Sequence, residues 1–153
     1  MLNLSRRILI SAPKESVRLY LRDLEKMAEY EQKLDKVDQV SYPDAQSGFV
    51  EVSGKFLGVP WRGAFKTEFT NDGGYHAEMV RGPLPMVRNI RLRPVLGGTM
   101  VTHQEHYYFP RFLWPVAYML RGRLERNVDK GLGVIKEGAE RLHRRLQIEQ
   151  IGP

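Results

Sequence analysis

The stretch TMVTHQEHYYFPRFLWPVAYMLRGRLERNVDKGLGVIKEGAERLHRRL, Thr99 to Leu146, decides the fold. Its first part alternates with period two. Thr99, Val101, His103, Glu105, Tyr107 and Phe109 share one face of a strand, opposite Met100, Thr102, Gln104, His106 and Tyr108. From Phe112 the period changes to three or four. Val116, Leu120, Leu124, Val128, Leu132, Ile135, Ala139, Leu142 and Leu146 then form one stripe, which predicts a long amphipathic helix. Pro115 suits only the first turn or a kink, so regular helix is expected from near Trp114. Gly131, Gly133 and Gly138 each weaken such a helix by about 1 kcal/mol relative to Ala, which is tolerable where it passes close to a sheet or a guest molecule.

Upstream, strand-like runs follow one another: Leu34 to Tyr42, Phe49 to Leu57, Val59 to Phe69, Tyr75 to Arg81 and Met86 to Val95. Their separators carry turn chemistry, as in Leu57-Gly-Val-Pro60, Asn71-Asp-Gly-Gly74, Gly82-Pro-Leu-Pro85 and Leu96-Gly-Gly98. Connections this short imply antiparallel neighbours. A first strand is read at Arg6 to Ser11, with Leu4, Ile8 and Ile10 on one face. Pro13 then opens a helical stretch capped by Ser11 or Ala12, and Val17, Leu21 and Leu24 continue it through Glu31 as one helix or two broken near Asp23. Strands in series followed by a helix indicate an α+β fold, a curved antiparallel sheet gripping the last helix around room for an apolar guest.

One domain spanning residues 1–153 is expected, because no linker-like tract divides the chain. The apolar run at the start is too short for a signal peptide and no stretch is long enough to span a bilayer, so the cytoplasm is the expected address. The absence of Cys removes disulfides, thiolate nucleophiles and thiolate metal sites together. His76, His103, His106 and His143 show no metal-ligand spacing; no metal and no cofactor is expected. The formal net charge is +6, and most of the excess lies between Arg111 and Leu146. That distribution reads as a solvated basic face, with a ribosome or nucleic-acid contact as the alternative. Phe112 to Leu120 is apolar, aromatic and flanked by Arg111, Arg121 and Arg123, so it reads either as the first turns covering the sheet's end or as a peripheral membrane contact.

Strand parity also supplies an apolar wall. Trp61, Phe65 and Phe69 share one parity, as do Tyr75, Ala77 and Met79 on the next strand and Ile90 and Leu92 on the one after. Leu120, Leu124 and Val128 would face them from the helix. With one helix covering a wide sheet, part of this wall should line a cavity rather than ordinary core.

The run Arg7-Ile-Leu-Ile-Ser-Ala-Pro-Lys-Glu-Ser-Val17, with Tyr20-Leu-Arg-Asp-Leu-Glu25 and Tyr30, resembles the opening of the START-like helix-grip (SRPBCC) superfamily. Arg81-Gly-Pro-Leu84, Ile90-x-Leu92-x-Pro94 and Gly97-Gly-Thr-x-Val101-Thr are similar to the corresponding run of its polyketide cyclase/dehydrase and coenzyme Q-binding branch. Leu84 and Ile90 stand where the branch usually has Phe and Trp. The resemblance covers nearly the whole chain. It implies a helix-grip fold, a seven-stranded curved antiparallel sheet around a long C-terminal helix with two short helices after the first strand. It also implies a cavity that binds or carries lipids, quinones or polyketides, with cyclisation catalysed in some members and ribosome association in one bacterial relative.

In proteins resembling this chain the Val101 face looks inward, which would place Val101, His103, Glu105 and Tyr107 on the cavity side. His103 and Glu105 could pair with each other, or with Arg81 or Arg88 from neighbouring strands, since buried polar groups need partners. A His and a carboxylate on one wall could perform the acid–base work of a polyketide cyclase or dehydratase, or form only a polar network that orients a ligand. The reading that best joins these features is a binding protein for a hydrophobic small molecule.

Overall fold

The sheet begins at Leu2. The computed structural model describes residues 1–151, and Gly152 and Pro153 of the expected domain lie outside the described residues. Strand β1 is Leu2–Ile10; Leu2 and Leu4 carry the buried parity past Arg6 and Arg7, so it starts earlier than Arg6. Helix α1, Lys14–Arg22, has Pro13 itself at its N-cap rather than Ser11 or Ala12. The Pro13 carbonyl accepts the Ser16 N–H at 3.0 Å, and the Ser11 N–H instead donates to Glu140 Oε1 at 2.8 Å. Asp23 breaks the helix, and a 3-10 turn at Leu24–Lys26 leads into the short α2, Met27–Tyr30.

Six strands follow: β2 Leu34–Asp44, β3 Ser47–Phe56, β4 Val59–Phe69, β5 Tyr75–Arg81, β6 Met86–Val95 and β7 Gly98–Tyr107. All seven form one antiparallel sheet in the order β1-β7-β6-β5-β4-β3-β2. The last strand therefore lies between the first and the sixth. The short connections behave as their residues dictate. Phe56 pairs with Val59 across a two-residue turn, and Leu57 and Gly58 both take positive φ, 52° and 81°. Two left-handed residues give the twist that a right-handed strand pair needs.

After a 3-10 turn at Arg111–Leu113, α3 runs from Trp114 to Ile151 and lies against β1, α1 and α2. Leu124, Val128, Leu132, Ile135 and Ala139 of its stripe are buried. A Cβ at Gly131 would come within 2.2 Å of the Tyr30 carbonyl oxygen, and one at Gly138 within 2.3 Å of the Tyr20 ring. These two glycines admit the short helices rather than the sheet or a guest. The head of the stripe differs from expectation: Phe112 and Val116 are exposed, and Val116 borders open space rather than packed core.

Candidate functional site

Antiparallel order brings the β3–β4 turn, the β5–β6 turn, the end of β7 and the start of α3 to one end of the sheet. Between them opens a cavity of about 420 Å³. Phe56, Leu57, Val59, Pro60 and Trp61 form one wall and Met79, Pro83, Leu84 and Met86 a second. Leu113 of the 3-10 turn and Val116 and Leu120 of α3 close it, and Phe109, Tyr107 and Lys33 complete the lining. Lys33 is the one charged residue among them. A concave, nearly all-apolar surface of this size suits a small hydrophobic molecule.

Behind Lys33 and Tyr107 lies a buried polar network. Leu4, Glu105 and Arg88 stand side by side on β1, β7 and β6, and Glu31 and Lys33 descend from the link after α2. The Lys33 ammonium lies 3.1 Å from Glu31 Oε1 and 3.5 Å from Glu105 Oε2, and it donates to the Tyr107 hydroxyl. Tyr107 in turn donates to Glu105. The Arg88 guanidinium pairs with Glu31 and lies 3.7 Å from Glu105 Oε1. Arg88 is completely buried, an arrangement tolerable only because both carboxylates face it. Its far side reaches the Tyr75 hydroxyl at 3.5 Å, which is hydrogen-bonded to Tyr30 at 2.6 Å.

Burial pushes the Glu105 carboxyl up, but Lys33, the hydrogen bond and charge of His103 and the Arg88 guanidinium together hold it well below the usual carboxylate range. Burial, reinforced by the Glu105 charge, keeps the Tyr107 hydroxyl protonated well above its ordinary range. An ionised Glu105 only accepts, so the 3.1 Å contact to His103 Nε2 is an N–H donating to Oε1. The other ring nitrogen, Nδ1, is buried without a partner.

The residues read from sequence divide into groups. Trp61, Met79, Tyr107 and Leu120 line the cavity. Phe65, Phe69, Ile90, Leu92, Val101, Leu124 and Val128 are buried in the main core, away from it. His103 and Glu105 pair as expected and Arg88 joins them, but the pair sits behind the cavity wall rather than on it. Arg81 is a correction. Val80 bulges from β5 between the pair of Met79 with Phe65 and that of Arg81 with Ala64, and reverses the parity at the end of the strand, so Arg81 reaches Glu51 at 3.3 Å and is largely exposed, remote from His103 and Glu105.

Sequence reading missed Glu31 and Lys33, which lie in a link without period, and Leu57 and Val59, which read as strand ends flanking a turn rather than as cavity wall. Glu31, His103 and Glu105 place ligand-type atoms within 4.8 Å of one another, a grouping that histidine spacing could not suggest. Lys33 and Arg88 already neutralise both carboxylates, so the donor set is built for ion pairs, and a divalent cation there would face two fixed positive charges.

A family model described as polyketide cyclase / dehydrase and lipid transport matches residues 1–140. No curated protein matches the chain in sequence. Among solved structures, TTHA0849 from Thermus thermophilus is similar with a TM-score of 0.78 at 18% identity, covering 90% of this chain and 97% of the other. The Zhui aromatase/cyclase from Streptomyces sp. R1128 has a TM-score of 0.73 at 15% identity, over 92% and 94% of the two chains. A STAR-related lipid transfer protein from Xanthomonas axonopodis has 0.64 at 12%, over 90% and 85%. At these identities the likeness is one of fold.

Proposed function

From the premise that this chain belongs to the polyketide cyclase/dehydrase and lipid transport family, we propose that it binds and carries a hydrophobic small molecule of the lipid, quinone or polyketide class in the cavity at the start of α3. The observation that carries the reading is the cavity itself, about 420 Å³ with apolar walls and a single charged side chain. Burying an apolar guest there gains roughly 25 cal/mol per Å² of apolar surface removed from water, while the carboxylates and cations behind the wall pair with one another rather than with the guest.

Native mass spectrometry of freshly purified protein should detect a co-purifying ligand, and a neutral polarity-sensitive dye should bind and be displaced by long-chain lipids. Leu120→Trp fills the cavity from a half-buried helix position and should abolish dye binding while leaving the fold intact. Dye binding that persists unchanged in that variant overturns the assignment.

A cyclase or dehydratase is the second reading, favoured by one feature. The Tyr107 hydroxyl and Lys33 ammonium reach the cavity wall and connect through Glu105 to His103, so acid–base chemistry would act through Tyr107 rather than through His103 directly. Under it Tyr107→Phe loses turnover of a polyketide-like substrate but keeps dye binding. Equal turnover in parent and variant rules this reading out.

A further inference from the structure

The end of the fold that carries the cavity is also where its large apolar side chains are left in water. Leu57 and Val59 on the β3–β4 turn, Val80 near the end of β5, and Phe112, Val116 and Met119 at the head of α3 are all exposed. Phe112 is 78% exposed and Met119 82%. Leu57, Val59 and Val116 line the cavity as well, so its wall continues into the exposed rim. Leu57 holds φ 52° in a turn whose conformation favours Gly or Asn. An exposed leucine kept there against local preference has neither backbone ease nor burial as its reason.

Charge completes the pattern. The segments 55–65, 79–87 and 108–124, which build this end, contain no Asp or Glu. They supply Lys55, Arg62, Arg81, Arg111, Arg121 and Arg123. Arg81 and Arg121 are engaged by Glu51 and Glu125, and Asp35 shares a surface groove with Lys55 and Arg62; Arg111 and Arg123 have no acidic partner among the described residues. An apolar rim set among unopposed cations is the arrangement of a protein face that lies in the interface of a negatively charged bilayer. A second copy of the chain fits poorly, since a two-fold contact would press this positively charged rim against itself.

We propose that this end docks on the surface of an anionic lipid bilayer, with Phe112, Met119 and Leu57 entering the interface, Arg111 and Arg123 against the headgroups, and the cavity opening toward the acyl layer. The surface stands on its own observations and does not require that the cavity's guest be a lipid.

The test is co-sedimentation of the full chain with vesicles of phosphatidylcholine and with vesicles of phosphatidylcholine mixed with phosphatidylglycerol. Binding is expected to the anionic vesicles and to weaken as salt rises. Arg111→Gln with Arg123→Gln, and separately Phe112→Ser with Met119→Ser, should each weaken it by roughly tenfold or more, while dye binding in the cavity persists. Arg141→Gln with Arg144→Gln and Arg145→Gln should leave vesicle binding intact. Absence of binding to anionic vesicles, equal binding to neutral ones, or a loss in the distal triple variant matching that of the rim variants would overturn the proposal. So would a concentration-dependent dimer that Phe112→Ser with Met119→Ser dissolves, because the rim would then seat a second copy.

Discussion

Glu105 receives a hydrogen bond from His103, another from Tyr107, and the charges of Lys33 and Arg88, all inside the fold. Replacing it with Gln leaves two buried cations to share Glu31. Breaking a buried pair in this way costs about 3–5 kcal/mol, which urea denaturation at neutral pH should register. The pH dependence follows from the same contacts. A carboxyl held well below its ordinary range contributes stability that is fully present above the unfolded value, about 4.3, and that is lost as pH falls toward the folded one. Stability of the parent should therefore drop steeply on acidification below about pH 4, and the drop should be shallower in Glu105→Gln. Parallel pH profiles for the two proteins would show that Glu105 is not the group being titrated. Part of this cluster was legible in the chain, because period two alone puts His103 and Glu105 on one face. Glu31 and Lys33 were not, since their partners lie 57 and 74 positions away and no local pattern marks a residue that descends from a connecting link.

At the level of elements, α3 separates two uses of glycine that its sequence cannot tell apart. Gly131 and Gly138 are fixed by contact, with the Tyr30 carbonyl and the Tyr20 ring occupying the space of a side chain, whereas a Cβ at Gly133 would meet nothing within 4 Å. Gly133→Ala should thus stabilise the protein by up to about 1 kcal/mol through helix propensity. Gly131→Ala should destabilise it by about 1–3 kcal/mol, because the backbone of α2 must move. Thermal melts that rank the two the other way would contradict the packing of α2 on α3. The strands show the same division between pattern and contact. Their existence and the antiparallel pairing of consecutive strands follow from alternation and turn residues, whereas the pairing of β1 with β7 joins the two ends of the sheet's sequence. Arg81 fails because an extra residue, Val80, bulges from β5 and changes which face the end of that strand presents, and the alternation of Tyr75, Ala77 and Met79 does not mark where such a bulge falls. The cavity meets Trp61, Met79, Tyr107 and Leu120 but not Phe65, Ile90 or Val101 of the same wall, for a related reason. Parity tells inside from outside, but only the line taken by α3 decides which inward residues meet helix and which meet space.

Across the whole molecule the basic residues fall into two sets that α3 holds apart. Arg141, Arg144 and Arg145 lie more than twenty residues beyond Leu120, the last helix residue on the cavity wall, which at 1.5 Å per residue is about 30 Å or more. Charges in water are screened over about 10 Å, so these three have no electrostatic reach to the cavity or its rim. They also precede the last turn of the helix, which reduces their interaction with its dipole to about 0.3 kcal/mol each. Replacing all three with Gln should lower the melting temperature only slightly and leave dye affinity unchanged. The distal set then acts as a solvated face that takes no part in binding the dye. A folded triple variant that no longer binds the dye would place the far end of α3 in the ligand site and would mean that the helix, in solution, does not hold its ends as far apart as its length requires.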